Sequence, residues 1–213
     1  MKSLEQYTFR DLYKQYVYLH TRNNFAKLTS FYEGTEKATG VLAYCCAVHE
    51  QGLVFEMLCC ASLNEQDNKL HFYSLNPQVS VKFRWATVHT AQAMLLPEAV
   101  VQDSILKSRA AAVYQSCIYN EAVEKTRFLL ALDHLRAVDN PDVVEVHLVH
   151  GDDGDEKCHV LIENISEMNS SGILLDEPQQ DLGLHKGDTL KFYLVKNKPV
   201  SYTHLTLPTK LEV

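Results

Sequence analysis

Asp176, Glu177, Asp181, His185 and Asp188 form the densest group of chemically able side chains in the sequence. They could form an acid/base cluster, since a carboxylate beside an imidazole is a workable general-base pair. The same residues also stand in turn-forming contexts, Glu177-Pro178 and Gly187-Asp188. Proline fixes its own φ, and a short acidic side chain bonds the backbone of its own turn. The first reading of the five is therefore a binding loop with no catalytic residue. The rival is a hydrolase that uses Glu177, Asp181 and His185. No G-x-S-x-G elbow, Walker loop, H-E-x-x-H helix or dinucleotide fingerprint favours the rival.

Other reactive residues give weaker patterns. Cys45-Cys46 and Cys59-Cys60 are adjacent pairs, without the C-x-x-C spacing of zinc or thioredoxin-like sites. Neighbours on a strand face opposite ways, so all six cysteines, including Cys117 and Cys158, are expected to be buried, reduced thiols. His147 and His150 would also face apart, while His147 and His159 could meet across a hairpin. The acidic run Gly151-Asp-Asp-Gly-Asp-Glu156 lacks the terminal glutamate of an EF-hand and reads as a solvated turn. No metal and no cofactor is expected.

The site loop needs strands on both sides. Gly172 to Leu175 predicts a short strand stopped at Asp176-Glu177-Pro178, and Thr189 to Val195 predicts the next. Gly183 and Gly187 bracket the segment between them. Upstream, Val143 to Val149 and Cys158 to Ile162 predict a hairpin around the acidic run. These elements read as a small β-barrel-like module or curled sheet of four to five strands.

The N-terminal part has a different pattern. Thr8 with Asp11 is a capping pair, and Phe9, Leu12, Tyr13, Tyr16 and Val17 recur at helical spacing. Their aromatic stripe is expected to be a docking face. Phe25 to Tyr32 predicts a second short helix. Val41 to Val48 and Leu53 to Leu63 predict two strands joined at His49-Glu-Gln-Gly52 and covered on both faces. Leu70 to Leu75 and Val79 to Val88 extend an antiparallel meander, with Val81, Phe83 and Trp85 on its core side. Pro97 predicts the start of a helix that presents Val101, Ile105, Ala112, Val113 and Cys117 on one face. Asn120 predicts a cap for a helix over 121–138, whose apolar Phe128 to Leu132 reads as lying between two layers. Asp139-Asn-Pro-Asp142 predicts the domain boundary.

Charge narrows the class of partner. The net charge is −7 over 213 residues. Residues 139–198 hold five Lys and Arg against 13 Asp and Glu, a balance of −8, whereas residues 1–138 balance to +1. An acidic surface argues against nucleic acid, whose phosphates need a basic one. It favours a basic protein partner. Apolar residues make up 46% and charged residues 22%, a globular composition. No apolar run approaches a membrane span, and the start Met1-Lys-Ser-Leu-Glu-Gln-Tyr7 lacks the apolar core of a signal peptide. A cytoplasmic protein without a membrane partner is the expectation.

Leu174-Leu-Asp-Glu-Pro178 with Gly183-Leu-His-Lys-Gly-Asp188 resembles the L-x-N-E-P … G-x-x-x-G-D core of uncharacterised bacterial domains, some of them immunity-like. The likeness spans about residues 141–196, and Asp176 stands where that pattern has Asn. It implies a binding or immunity-type role. A second resemblance concerns Val200-Ser-Tyr-Thr-His-Leu-Thr-Leu-Pro-Thr209, which looks like translated sequencing-adapter DNA. Residues 199–213 are therefore expected to belong to no core.

Together these readings give an α+β chain. Residues 1–96 form a helix-plus-antiparallel-sheet domain, 97–138 a helical segment packed on it, and 139–198 an acidic β-module. The leading function is non-enzymatic binding through that module, and assembly through the aromatic helix is a third reading.

Overall fold

The computed structural model describes residues 1–21, 36–64, 66, 69–73, 80–149, 155–165 and 170–192, with the backbone of 202–204. The expected helix over 25–32, the acidic turn over 151–154 and His150 lie outside them. The chain is α+β. It divides into two compact units, Met1–Ile118 and Tyr119–Val213.

The first unit is a seven-stranded antiparallel sheet ordered β1-β7-β2-β3-β4-β5, with β6 also on β4. Its strands are β1 Lys2–Ser3, β2 Tyr16–His20, β3 Gly40–Val48, β4 Gly52–Asn64, β5 Lys69–Phe72, β6 Lys82–Arg84 and β7 Gln92–Leu96. β3 and β4 form the expected hairpin, and Gly52 takes φ 75° to close it. Their near-continuous apolar sequence is buried on both faces. One face packs Val41, Ala43, Phe55 and Met57 with Leu12 and Trp85. The other packs Leu42, Cys46, Val54 and Leu58 under the helix α3, Ser104–Cys117. Strict alternation breaks once. The β3–β4 register slips between Leu42 and Ala43, so Leu58 and Cys59 both face the α3 side.

Several local expectations change in this unit. Thr8 and Asp11 do form the capping box, but α1 is only Phe9–Leu12. Tyr16 and Val17 instead belong to β2, where β3 and β7 supply the ladder partners that an isolated helix face would lack. Leu12, Tyr13, Tyr16 and Val17 are buried, so the aromatic stripe is core and offers no docking face. β6 stops at Arg84, and Trp85–Val88 turns into the short helix α2. Trp85 still reaches the core, 7% exposed and stacked against Phe55 at 6.5 Å. Past Pro97 the chain makes a single 3-10 turn, and α3 starts at Asp103, whose carboxylate caps Ile105 and Leu106. That start places Leu106, Ala110, Val113 and Cys117 inward, leaving Ile105 and Ala112 exposed.

The second unit contains the sheet ordered β11-β10-β9-β8-β12. β8 is Val143–Val149, β9 Asp155–Asn164, β10 Ser170–Leu174, β11 Thr189–Phe192 and β12 Tyr202–His204. The first four pair antiparallel. β12 runs parallel to β8, so the backbone of the adapter-like tail joins a sheet edge instead of standing wholly apart. Leu132, Val144, Val146, Leu148, Val160, Ile162, Leu174 and Leu190 fill the core of this unit.

The expected boundary at 139–142 falls inside the second unit. Asn120 caps a helix, as its type suggests, but α4 runs only Glu121–Thr126 and a 3-10 turn follows at Leu130–Leu135. Arg127 then bonds Asp142, while Arg136 bonds the carbonyls of Thr126 and Pro141. These links tie 120–136 to the start of β8. Of the apolar run Phe128–Leu132 only Leu132 is buried, and Leu130 is 71% exposed. The run does not lie between layers.

Candidate functional site

The five candidate residues sit on the loop from the end of β10 to the start of β11. Gly183 and Gly187 both take positive φ, 64° and 96°, which shapes the loop where a Cβ would be strained. Gly187 N–H donates to the carbonyl of Leu174, and Leu174 N–H donates to that of Asp188, closing the loop ends together.

Most of the carboxylates are occupied in holding that shape. Asp176 Oδ2 accepts from the backbone N–H of His159 at 2.7 Å and lies 2.8 Å from the His159 imidazole Nδ1. Glu177 Oε1 lies 2.8 Å from His185 Nδ1, and its Oε2 accepts from the N–H of Lys186 at 2.8 Å. Asp188 Oδ2 accepts from the N–H of His185 at 2.7 Å. Glu156 on β9, which sequence reading left aside, accepts from the N–H groups of Gln179 and Gln180. Its only signal in the sequence was membership of an acidic run, with nothing to point it at a loop twenty-odd residues on. Asp181 is exposed and makes no hydrogen bond to another described residue.

The electrostatics follow from those contacts. The His185 imidazole and the Lys186 N–H hold Glu177 below the ordinary carboxylate range. Reciprocally, the bond to Glu177 raises His185 above its ordinary value, with Asp188 and Asp181 adding to the effect. Burial pushes Asp176 up, but the bonds from His159 outweigh it and leave its carboxyl lowered. The structure thus brings Glu177 to His185 and Asp188 to the His185 backbone, and gives Asp176 a separate partner, His159. The His185 and Glu177 side chains are 76% and 59% exposed, so water surrounds the pair.

The remaining sequence candidates resolve differently. Glu145 opposes His159 and His147 opposes Lys157, so the two histidines share a face as diagonal neighbours instead of meeting directly. Among the described residues no three His, Cys, Asp or Glu converge as metal ligands. The cysteines are buried, but not all are free, because Cys46 and Cys117 are bonded as a disulfide. Their separation of 71 residues gave no sequence signal. β3 and α3 bring them together. Burial pushes Cys60 and Cys158 to about 11 and Cys59 to about 12, which makes them poor nucleophiles.

No protein-family model, curated protein or solved structure matches the chain. No helix among the described residues is long and apolar enough to cross a membrane.

Proposed function

We propose that the chain is a non-enzymatic binding or immunity-type protein whose small barrel-like second unit turns a rigid acidic face to a basic protein partner. The observation that carries this reading is the use of backbone N–H groups to fix carboxylates. Asp176, Glu177, Asp188 and Glu156 each accept from at least one main-chain donor. A neutral donor fixes a carboxylate without cancelling its charge, so the face is both preorganised and anionic. Preorganisation lowers the entropy that binding costs, and the concentrated charge steers a cationic partner.

A hydrolase has one observation in its favour, the 2.8 Å contact between Glu177 and His185. At their exposure the pair gains little from a low dielectric, and no described Ser, Thr or Cys hydroxyl or thiol bonds to His185.

Capture from the native cell, with mass spectrometry, would identify the partner. Its association would then be timed at low and physiological salt, with native protein and with Glu177→Gln/Asp181→Asn. Binding should slow steeply with salt, and the variant should associate more slowly without unfolding. Equal, salt-independent rates for both proteins would remove this reading. Turnover of an ester or amide substrate, lost in the variant, would establish the hydrolase instead.

A further inference from the structure

The helix α3 is held differently at its two ends. At its start the Asp103 carboxylate accepts from the N–H groups of Ile105 and Leu106, a complete N-cap. Its end has no left-handed glycine and no basic side chain in the last turn. Ile118 N–H reaches only the carbonyl of Gln115, at 3.4 Å, and the Ser116 hydroxyl donates to the carbonyl of Val113. A hydroxyl bonded to the preceding turn competes with the helix ladder there. What secures this end is the Cys46–Cys117 disulfide, which ties the last residue of α3 to β3.

Packing alone gives this helix a modest hold. It buries Leu106, Ala110, Val113 and Cys117 against the sheet, and of these only Leu106 is large. The sheet face beneath is broader, with Tyr18, Leu42, Val54 and Leu58 all buried. The rest of the cysteine inventory bears on what the bond is for. Cys45, Cys59, Cys60 and Cys158 remain thiols, four of the six in the chain. Such a chain suits a reducing compartment, where a disulfide is usually transient or redox-sensing instead of structural. Internal exchange does not threaten the bond, because burial raises the Cys45 and Cys59 thiols and leaves them without the thiolate that attacks a disulfide.

We propose that Cys46–Cys117 is a redox latch, which an external dithiol reductant opens to free the C-terminal turns of α3 from β3. Cys46 is fully enclosed and Cys117 is 5% exposed, so attack falls on Cys117 as the weakly capped helix end frays. A thiolate of the reductant bonds to Cys117 Sγ, and the S–S bond breaks with its electron pair on Cys46 Sγ, which takes a proton. The second thiol of the reductant then displaces Cys117 as a thiol and closes the reductant's own disulfide. The chain gains two electrons and two protons, and the dithiol loses the same. The latch lies in the first unit and does not rest on the acidic face of the second.

The test compares the whole chain oxidised with glutathione disulfide and then reduced with dithiothreitol, both without denaturant. Thiols are counted by alkylation and mass measurement after quenching, and hydrogen exchange reads α3. Reduction should go to completion in the folded protein. Amides of residues 113–117 should then exchange roughly tenfold faster or more, a modest share of what a disulfide contributes, while those of β4 keep their rates. Re-oxidation should restore the protection. Cys117→Ser should exchange like the reduced chain with or without dithiothreitol. If that variant does not fold, the native chain before and after reduction carries the test. Three results would overturn the proposal: no bond formed in glutathione disulfide, a bond that yields only when the whole unit unfolds, or equal protection of α3 in the two states.

Discussion

The guanidinium of Arg127 grips the carboxylate of Asp142 through Nε at 2.8 Å and Nη2 at 2.6 Å, with both side chains buried. Glu124 adds a third contact, to Nη1 at 2.9 Å. Burying two charges is expensive, and only close, bidentate geometry offsets it. Arg127→Met leaves the Asp142 carboxylate buried without its cation and should cost about 3–5 kcal/mol of stability. The double variant Arg127→Met/Asp142→Leu removes both charges and should recover much of that loss. Urea unfolding checks both. A single variant as stable as the native chain would mean that water reaches Asp142.

Trp85 tests the other core. It lies 7% exposed, packed on Phe55 in the cluster that includes Leu12 and Met57. Trp85→Ala should cost about 3–5 kcal/mol. Iodide should barely quench native tryptophan fluorescence, and ready quenching would place the ring at the surface.

How far this fold was legible depends on the range of the interactions that decide each element. The β3–β4 hairpin was readable because its signals are local, with dense apolar strands and Gly52 at the turn. The Thr8–Asp11 box and the Asn120 cap were readable for the same reason. β2 was misread because Tyr16 and Val17 continue the helix period of Phe9, Leu12 and Tyr13, while their strand state comes from β3 and β7, far along the chain. The boundary was misplaced because Pro141 punctuates locally, whereas Arg127 reaches across it to Asp142. At the candidate loop Glu177, His185 and Asp188 come together, whereas Asp176 turns to His159 and Asp181 bonds none of them, and a turn-building role for these residues was among the readings. The partners His159 and Glu156 were not foreseen, since β9 delivers both from another part of the sequence.

Gly172 illustrates a constraint hidden in an ordinary strand. A Cβ there would meet the carbonyl of Leu161 and the Val160 side chain, next to the register slip between Ser171 and Gly172. By strand propensity Gly172→Val should help. Sterics win in so close an approach, and the substitution should destabilise by about 1–3 kcal/mol. A higher unfolding midpoint in the variant would show that β9 and β10 can move apart.

The Glu177–His185 pair makes a pH prediction whose sign can be fixed. His185 lies above its ordinary value of 6.5 because Glu177 accepts its hydrogen bond, and Glu177 lies below its ordinary value of 4.5 for the reciprocal reason. The histidine contribution is fully present below 6.5 and fades as pH rises through the raised pKa. The glutamate contribution is fully present above 4.5 and fades as pH falls through the lowered one. The loop should therefore be held most firmly between those two ordinary values. Protonating His185 also removes one unit of net negative charge from the proposed acidic face, so a basic partner should associate more slowly as pH falls through the His185 titration. NMR of the imidazole protons would read this directly. Glu177→Gln should return His185 towards its ordinary value and move the pH dependence of association with it. If the titration of His185 does not shift in that variant, the contact is not populated in solution, and the carboxylates of this loop are not held as the structure has them.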